Sequence, residues 1–234
     1  MTLLRSSLFF LWFALVSVVL NIGFLPALLM PRAVARKGCK WWCAAALWGL
    51  KAFAGLDYEL RGKIPPHGAL VAAKHMSMWD TLALFVLLDA PAAILKRELF
   101  RIPFYGWYTK KIGLIGIDRD GKASALRKMA AAARAAIAQG RSLLIFPEGT
   151  RKKPGAAPDY KPGVAALYGQ LEKECVPVAL NSGLYWTGFI KKPGTVVLEF
   201  LKPIPPGLKS RDFMAALQDS IETATSRLLA ETRR

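Results

Sequence analysis

No charged residue occurs between Ser6 and Pro31, and this constrains the chain more than any other feature. At about 1.5 Å per helical residue, the run SLFFLWFALVSVVLNIGFLPALLM is long enough to cross a hydrocarbon layer of roughly 30 Å, so membrane attachment is expected. Arg5 ahead of the run and Ala33-Val34-Ala35 behind it have the look of a secretory signal. The apolar stretch exceeds the roughly 7 to 15 residues of a signal-peptide core, however, and is read as retained. Arg32, Arg36, Lys37 and Lys40 follow the run while Arg5 alone precedes it, which by the positive-inside rule puts the following domain in the cytoplasm. The next segment, WWCAAALWGLKAFAGL from Trp41 to Leu56, is apolar and rich in Trp; it fits either a helix lying at headgroup level or an ordinary buried helix.

After Leu56 the pattern changes to short β-rich runs separated by amphipathic stretches. The runs are Tyr58 to Arg61, Ala69 to Lys74, Ala92 to Lys96, Leu114 to Ile117, Leu143 to Phe146, Val176 to Leu180 and Val196 to Leu201. Helices are expected over Met78 to Asp89, Ala123 to Gln139 closed by Gly140, Val164 to Glu174, and Arg211 to Glu231 opened by Ser210. Such alternation predicts an α/β fold with a mixed, largely parallel sheet flanked by helices. Residues 1–56 are expected to be membrane-associating helices and residues 57–234 one α/β domain, since 234 residues leave no comfortable room for two. In the last helix Phe213, Leu217, Ile221, Ala224 and Leu228 make a core-facing stripe.

The chain carries 33 Lys and Arg against 16 Asp and Glu, a net +17, so polyanions of some kind should be drawn to it. The excess concentrates in residues 91–163, a stretch that also holds the phosphate-binding candidates below. Cys39, Cys43 and Cys175 are an odd count in a chain whose core needs no staples, which argues against a disulfide framework and for a reducing compartment. Neither His67 nor His75 lies at a zinc-ligand spacing from them, so no metal is expected.

The first chemical motif is HMSMWD, with His75 after a predicted strand and Asp80 in the first turn of the next helix. Five residues inside one helix would place the two side chains about 140° apart, so His75 must precede the helix. Ser77 then serves as N-cap with Asp80 three residues on, the spacing of a capping box. From that position the imidazole can fold back onto the carboxylate, a dyad in which Asp80 fixes the tautomer while the other ring nitrogen takes a proton from an alcohol. The plain alternative is a strand-end His and a capping Asp. A relay through Ser77 is set aside because capping already explains it. The second motif, LLIFPEGTRKK, runs a strand into Pro147, Glu148, Gly149, Thr150 and Arg151. Proline presets a turn, glycine lets backbone approach a ligand, and arginine offers a fork for phosphate; a polar turn with exposed basic residues is the alternative.

Together, HMSMWD followed by FPEGTR resembles the 1-acylglycerol-3-phosphate acyltransferase family. Between them GLIGIDR (113–119) resembles the family's second block, CVPVAL (175–180) its fourth, and LKRELFRIPFYGW the stretch before the second block; the match covers roughly residues 58 to 205. The resemblance implies that His75 is the catalytic base and Asp80 its partner. It implies that Arg119, Glu148, Gly149, Thr150 and Arg151 bind or order the glycerol phosphate, with Lys96 as a further phosphate contact. It also implies a helical pair at the N-terminus and an enzyme on the cytoplasmic face of the inner membrane. The acceptor would be lysophosphatidate, the donor acyl-CoA or acyl carrier protein, with no cofactor. Two departures stand out: Lys74 where the family often has Asn, and Gly116 at a position that is frequently aromatic.

Other acceptors, such as a lyso-ornithine lipid, keep the chemistry and change only the pocket. A non-enzymatic basic protein binding membrane or nucleic acid is the alternative of a different class. Nucleic acid is not expected as a partner, because no helix-turn-helix, RRM-like or finger signature is present. Cys175 ahead of a β-run is read as a small core residue rather than a nucleophile.

Overall fold

The central strands of this chain read as continuous apolar runs because the sheet is covered on both faces there. The computed structural model describes residues 1–118 and 122–232. Its strands are β1 (Leu56–Arg61), β2 (Leu70–Ala73), β3 (Ala92–Lys96), β4 (Ile115–Ile117), β5 (Leu143–Ile145), β6 (Cys175–Leu180), β7 (Trp186–Thr187), β8 (Ile190–Lys191) and β9 (Gly194–Phe200). Seven of them make one sheet in the order β1-β9-β6-β2-β5-β3-β4, while β7 and β8 pair as a separate ribbon. Every neighbouring pair is parallel except β6 with β9, so the sheet is mixed and largely parallel. Central β2 and β6 are buried at every residue.

The α-helices are α1 (Thr2–Gly23), α2 (Arg32–Gly49), α3 (Met78–Leu87), α4 (Tyr105–Lys111), α5 (Lys122–Ala138), α6 (Gly163–Leu171) and α7 (Ser210–Glu231). Side chains of β2 alternate between two cores. Leu70 and Ala72 pack with Met129 and Ala133 of α5, Leu167 of α6, and Phe213, Leu217 and Ile221 of α7. Val71 and Ala73 pack with Phe9 of α1 and Trp79 and Leu84 of α3. Cys175 sits wholly buried in the first of these cores, and burial pushes its thiol up to about 12, which suits a packing residue.

Three local features differ from expectation. Helix α2 starts at Arg32, so the basic residues after the apolar run form its first turns, where Arg36 Nε donates to Ile112 O (3.2 Å) and Lys40 pairs with Asp89 (2.6 Å). It continues into a wide turn over Leu50–Ala54 and stops at left-handed Gly55, leaving Trp41 and Trp48 exposed while Cys43, Ala46 and Leu50 are buried. Helix α4 had no sequence signal, and Lys209, not Ser210, caps α7.

Although α1 is long and apolar enough to cross a membrane by length and composition, it lies along the domain. Near its start Lys191 N donates to Ser6 Oγ (2.9 Å), and near its end the Tyr108 hydroxyl donates to Asn21 O (2.6 Å). Its outward face, Leu4, Leu8, Leu11, Leu15, Val18 and Ile22, is exposed.

The turn from α3 to β3 places Asp89 and Ala90 at positive φ, a costly conformation for residues other than glycine. Buried Arg141 holds it: the guanidinium donates to Ala90 O, Pro91 O and Gly113 O at 3.0 to 3.3 Å. Arg141→Ala leaves these carbonyls without their donors and is expected to destabilise the fold by about 3 kcal/mol. A denaturant midpoint near that of the wild type would contradict this account.

Candidate active site

Parallel pairing of β2 with β5 brings the two motifs together. The sheet sends His75 out of the carboxyl end of β2 and Phe146-Pro147-Glu148-Gly149 out of the same end of its neighbour β5. Open α/β sheets place their ligands at this edge. The imidazole of His75 stacks on the ring of Phe146, with centroids 3.9 Å apart and planes inclined by 20°. Lys152 N donates to His75 O at 2.8 Å, fastening the loop that follows β5 to the backbone of the histidine.

Ser77 is extended, at φ −150 and ψ 176, and closes a capping box with Asp80 at the start of α3. That box fixes the carboxylate. Asp80 Oδ2 accepts from Met76 N (2.6 Å), from Ser77 N (2.8 Å) and from His75 Nδ1 (3.0 Å). Its other oxygen, Oδ1, accepts from Ser77 Oγ (3.1 Å) and from Ser182 Oγ in the turn after β6. Asp80 is fully buried, whereas the His75 side chain is 12% exposed. With Nδ1–H donated to the carboxylate, Nε2 is the nitrogen left with a lone pair. Ser77 faces the carboxylate rather than the imidazole, and its oxygen also accepts from Trp79 N.

The remaining candidates are spread along the same edge. Lys96 ends β3 with an exposed side chain, and Thr150 and Arg151 are exposed beyond β5. Gly149 adopts φ 64, a conformation that favours glycine. Arg119 lies outside the described residues. Glu148 turns inward: Lys74 Nζ reaches its Oε1 at 3.1 Å and Glu222 Oε1 of α7 at 2.7 Å, with the Tyr160 hydroxyl donating to the same Glu222 oxygen. Desolvation raises the pKa of Glu148, and the nearby Lys74 ammonium opposes the rise. Glu148 is thus paired within the protein, tying the loop after β5 to Lys74 at the end of β2.

Both departures noted in the sequence have a structural cause. Lys74 faces away from His75, as strand alternation requires, and joins α7 to the loop after β5. At Gly116 a Cβ would come within 2.2 Å of the Phe100 ring, so the aromatic group at this position arrives from Phe100 instead. Phe146, Ser182 and Glu222, the second partner of Lys74, were missed by sequence reasoning. Phe146 was within view as part of FPEGTR, but nothing local marks Ser182 or Glu222.

An apolar cavity of about 280 Å³ lies between α1, α2, α3 and α4, lined among others by Phe24, Trp42, Leu82, Phe85 and Tyr108.

The family model described as Acyltransferase matches residues 56–181, more than half of the chain. The chain belongs to the acyltransferase family. This acyltransferase is 35% identical over 199 residues to the 1-acyl-sn-glycerol-3-phosphate acyltransferase of Pseudomonas aeruginosa, an alignment covering 82% of this chain and 77% of that one. With the alpha form from Mus musculus it shares 30% identity over 181 residues, 73% of this chain; there it spans just under two thirds of the relative, 63%. In fold the acyltransferase resembles the crystal structure of the 1-acyl-sn-glycerophosphate (LPA) acyltransferase PlsC from Thermotoga maritima, with a TM-score of 0.78 at 22% identity over 100% of this chain and 98% of that one.

Proposed function

We propose that the chain transfers an acyl group from an acyl thioester, acyl-CoA or acyl carrier protein, to the free sn-2 hydroxyl of 1-acylglycerol-3-phosphate, giving phosphatidate. The observation that carries this reading is the His75–Asp80 pair at the edge where the FPEGTR loop also emerges, the imidazole stacked on the phenylalanine of that loop. The names of the relatives support the acceptor.

In the proposed reaction His75 Nε2 removes the hydroxyl proton as the oxygen attacks the thioester carbonyl. Asp80 steadies the imidazolium that forms. Collapse of the tetrahedral adduct breaks the C–S bond, and the departing thiolate takes the proton from His75. Ester and free thiol are the products, and no acyl-enzyme is formed. Arg151, Thr150 and Lys96 are assigned to the acceptor phosphate, joined by Arg119. Gly149 and Glu148 shape the loop that presents Arg151. The apolar cavity suits an acyl chain.

The same proposal seats the protein on the cytoplasmic leaflet of the inner membrane with α1 lying in the surface. The exposed leucine and valine face of α1 supports this, as do the outward Trp41 and Trp48 and the ties that hold both ends of α1 to one domain.

The acceptor is tested by supplying detergent-dispersed protein with acyl-CoA and either lysophosphatidate or lyso-ornithine lipid while following free thiol. Arg151→Ala should cut turnover on lysophosphatidate by about tenfold to a hundredfold, from the loss of a charge-assisted contact, and affect a phosphate-free acceptor far less. Equal losses on both would remove the phosphate role of Arg151. Preference for lyso-ornithine lipid in the unaltered protein would replace the acceptor.

A further inference from the structure

The buried carboxylate of Asp80 leans on a residue from a distant part of the chain. Its Oδ2 is engaged by the histidine and by two backbone amides, all within six residues of sequence. Among the described residues its Oδ1 is engaged by hydroxyl groups alone, those of Ser77 and Ser182. Ser77 has one proton to give, and its oxygen lies 3.1 Å from Oδ1 but 2.9 Å from Ser182 Oγ, so the two acceptors compete for it. The Ser182 oxygen lies against Oδ1 as well, so the two hydroxyls share that oxygen and each other. We propose that Ser182 is a positioning residue for the acyl transfer, the hydroxyl that holds Asp80 aimed at His75 by capping Oδ1. This rests on the reading of His75 and Asp80 as base and partner.

The placement of Ser182 is itself rigid. It lies in the short turn after β6, where the neighbouring Asn181 accepts from Val197 N (2.8 Å) and donates to Thr232 Oγ1 (2.8 Å). These anchors contain no titratable group. Among the described residues His75 is the only titratable partner of the carboxylate; Lys74, the next residue toward β2, engages Glu148 and Glu222 on the other face of the sheet.

Removing the Ser182 hydroxyl leaves Asp80 Oδ1 with the shared Ser77 hydroxyl, so the buried carboxylate is held less firmly and the imidazole it orients is aimed less well at the acceptor hydroxyl. Misaiming the base is felt in the chemical step rather than in binding, so the loss falls on kcat and not on KM.

The test compares Ser182→Ala with Thr232→Val in the full-length protein, reading kcat, KM and the thermal midpoint with acyl-CoA and lysophosphatidate. Ser182→Ala is expected to lower kcat about tenfold or more, the loss typical of a hydrogen bond to a charged group, with KM unchanged. Ser182→Thr, which keeps the hydroxyl, should restore kcat. Thr232→Val loosens the same turn without touching Asp80 and should lower the thermal midpoint alone. An unchanged kcat in Ser182→Ala, or an equal fall of kcat in Thr232→Val, overturns the proposal. Where Ser182→Ala does not fold, Ser182→Cys carries a weaker donor of similar size, and a kcat identical to wild type there also overturns it. Turnover surviving in His75→Ala would instead strike the underlying base assignment, while an inactive His75→Ala beside an unaffected Ser182→Ala would strike this inference alone.

Discussion

His75→Ala is expected to lower the rate of thiol release from acyl-CoA in the presence of lysophosphatidate by roughly a thousandfold at neutral pH, within the range that general-base assistance supplies. Fold and thermal midpoint should change little, because the imidazole lies at the edge of the sheet, partly exposed, with Phe146 on one side. Asp80→Asn should reach a similar loss by another route. An amide has one acceptor oxygen where the carboxylate offers two, and it would have to serve the Met76 and Ser77 amides, the two hydroxyls and the His75 Nδ1–H together. Part of that set is left unpaired, and the cap of α3 weakens as the tautomer is lost, so this variant should show a lower midpoint as well. Wild-type turnover in His75→Ala would end the assignment.

Lys74→Met should have the largest effect on stability. It leaves Glu148, itself 1% exposed, without the ammonium that balances it, and breaking a buried pair from one side costs about 3 to 5 kcal/mol. The sign of the pH dependence follows from burial. Desolvation raises the pKa of Glu148, so its folded form holds a proton more tightly than the unfolded chain, and stability falls as pH rises above the ordinary carboxylate value. Lys74 opposes that rise. Without it the window widens upward, and the penalty of Lys74→Met should be greater at pH 8 than at pH 5 in urea titrations. Adding Glu148→Gln should recover much of the loss. A pH-independent penalty would mean that packing, not charge, is what Lys74 contributes.

Much of this architecture could be read from the residues. Strand positions were legible because β2, β5 and β6 are apolar throughout, and α7 because Phe213, Leu217 and Ile221 recur at helical spacing. The dyad could be argued because both partners lie within a few residues and a capping box dictates the local geometry. Contacts between distant segments had no such rule. Nothing near Lys74 announces that Glu222, far along the chain in α7, completes its pair. Gly116 looked like a departure because the ring filling its place comes from Phe100, before the strand. Helix α4 was invisible since its seven residues, YGWYTKK, show no apolar period and owe their shape to packing, including a close approach of Gly106 to Phe100 O. Sequence could name the family's motifs, but the parallel register of β2 and β5 decides that they touch.

The two ties on α1 set how a protein seated in this way would search for substrate. On the proposed seating, a helix pinned near both ends would not stand upright in a bilayer while its domain stays outside, and the whole body would drift within the plane of one leaflet. Encounter with a lipid acceptor then becomes a two-dimensional problem, governed by the surface density of lipid rather than by its bulk concentration. Diluting lysophosphatidate with inert phospholipid at constant total amount should slow turnover as surely as withholding it.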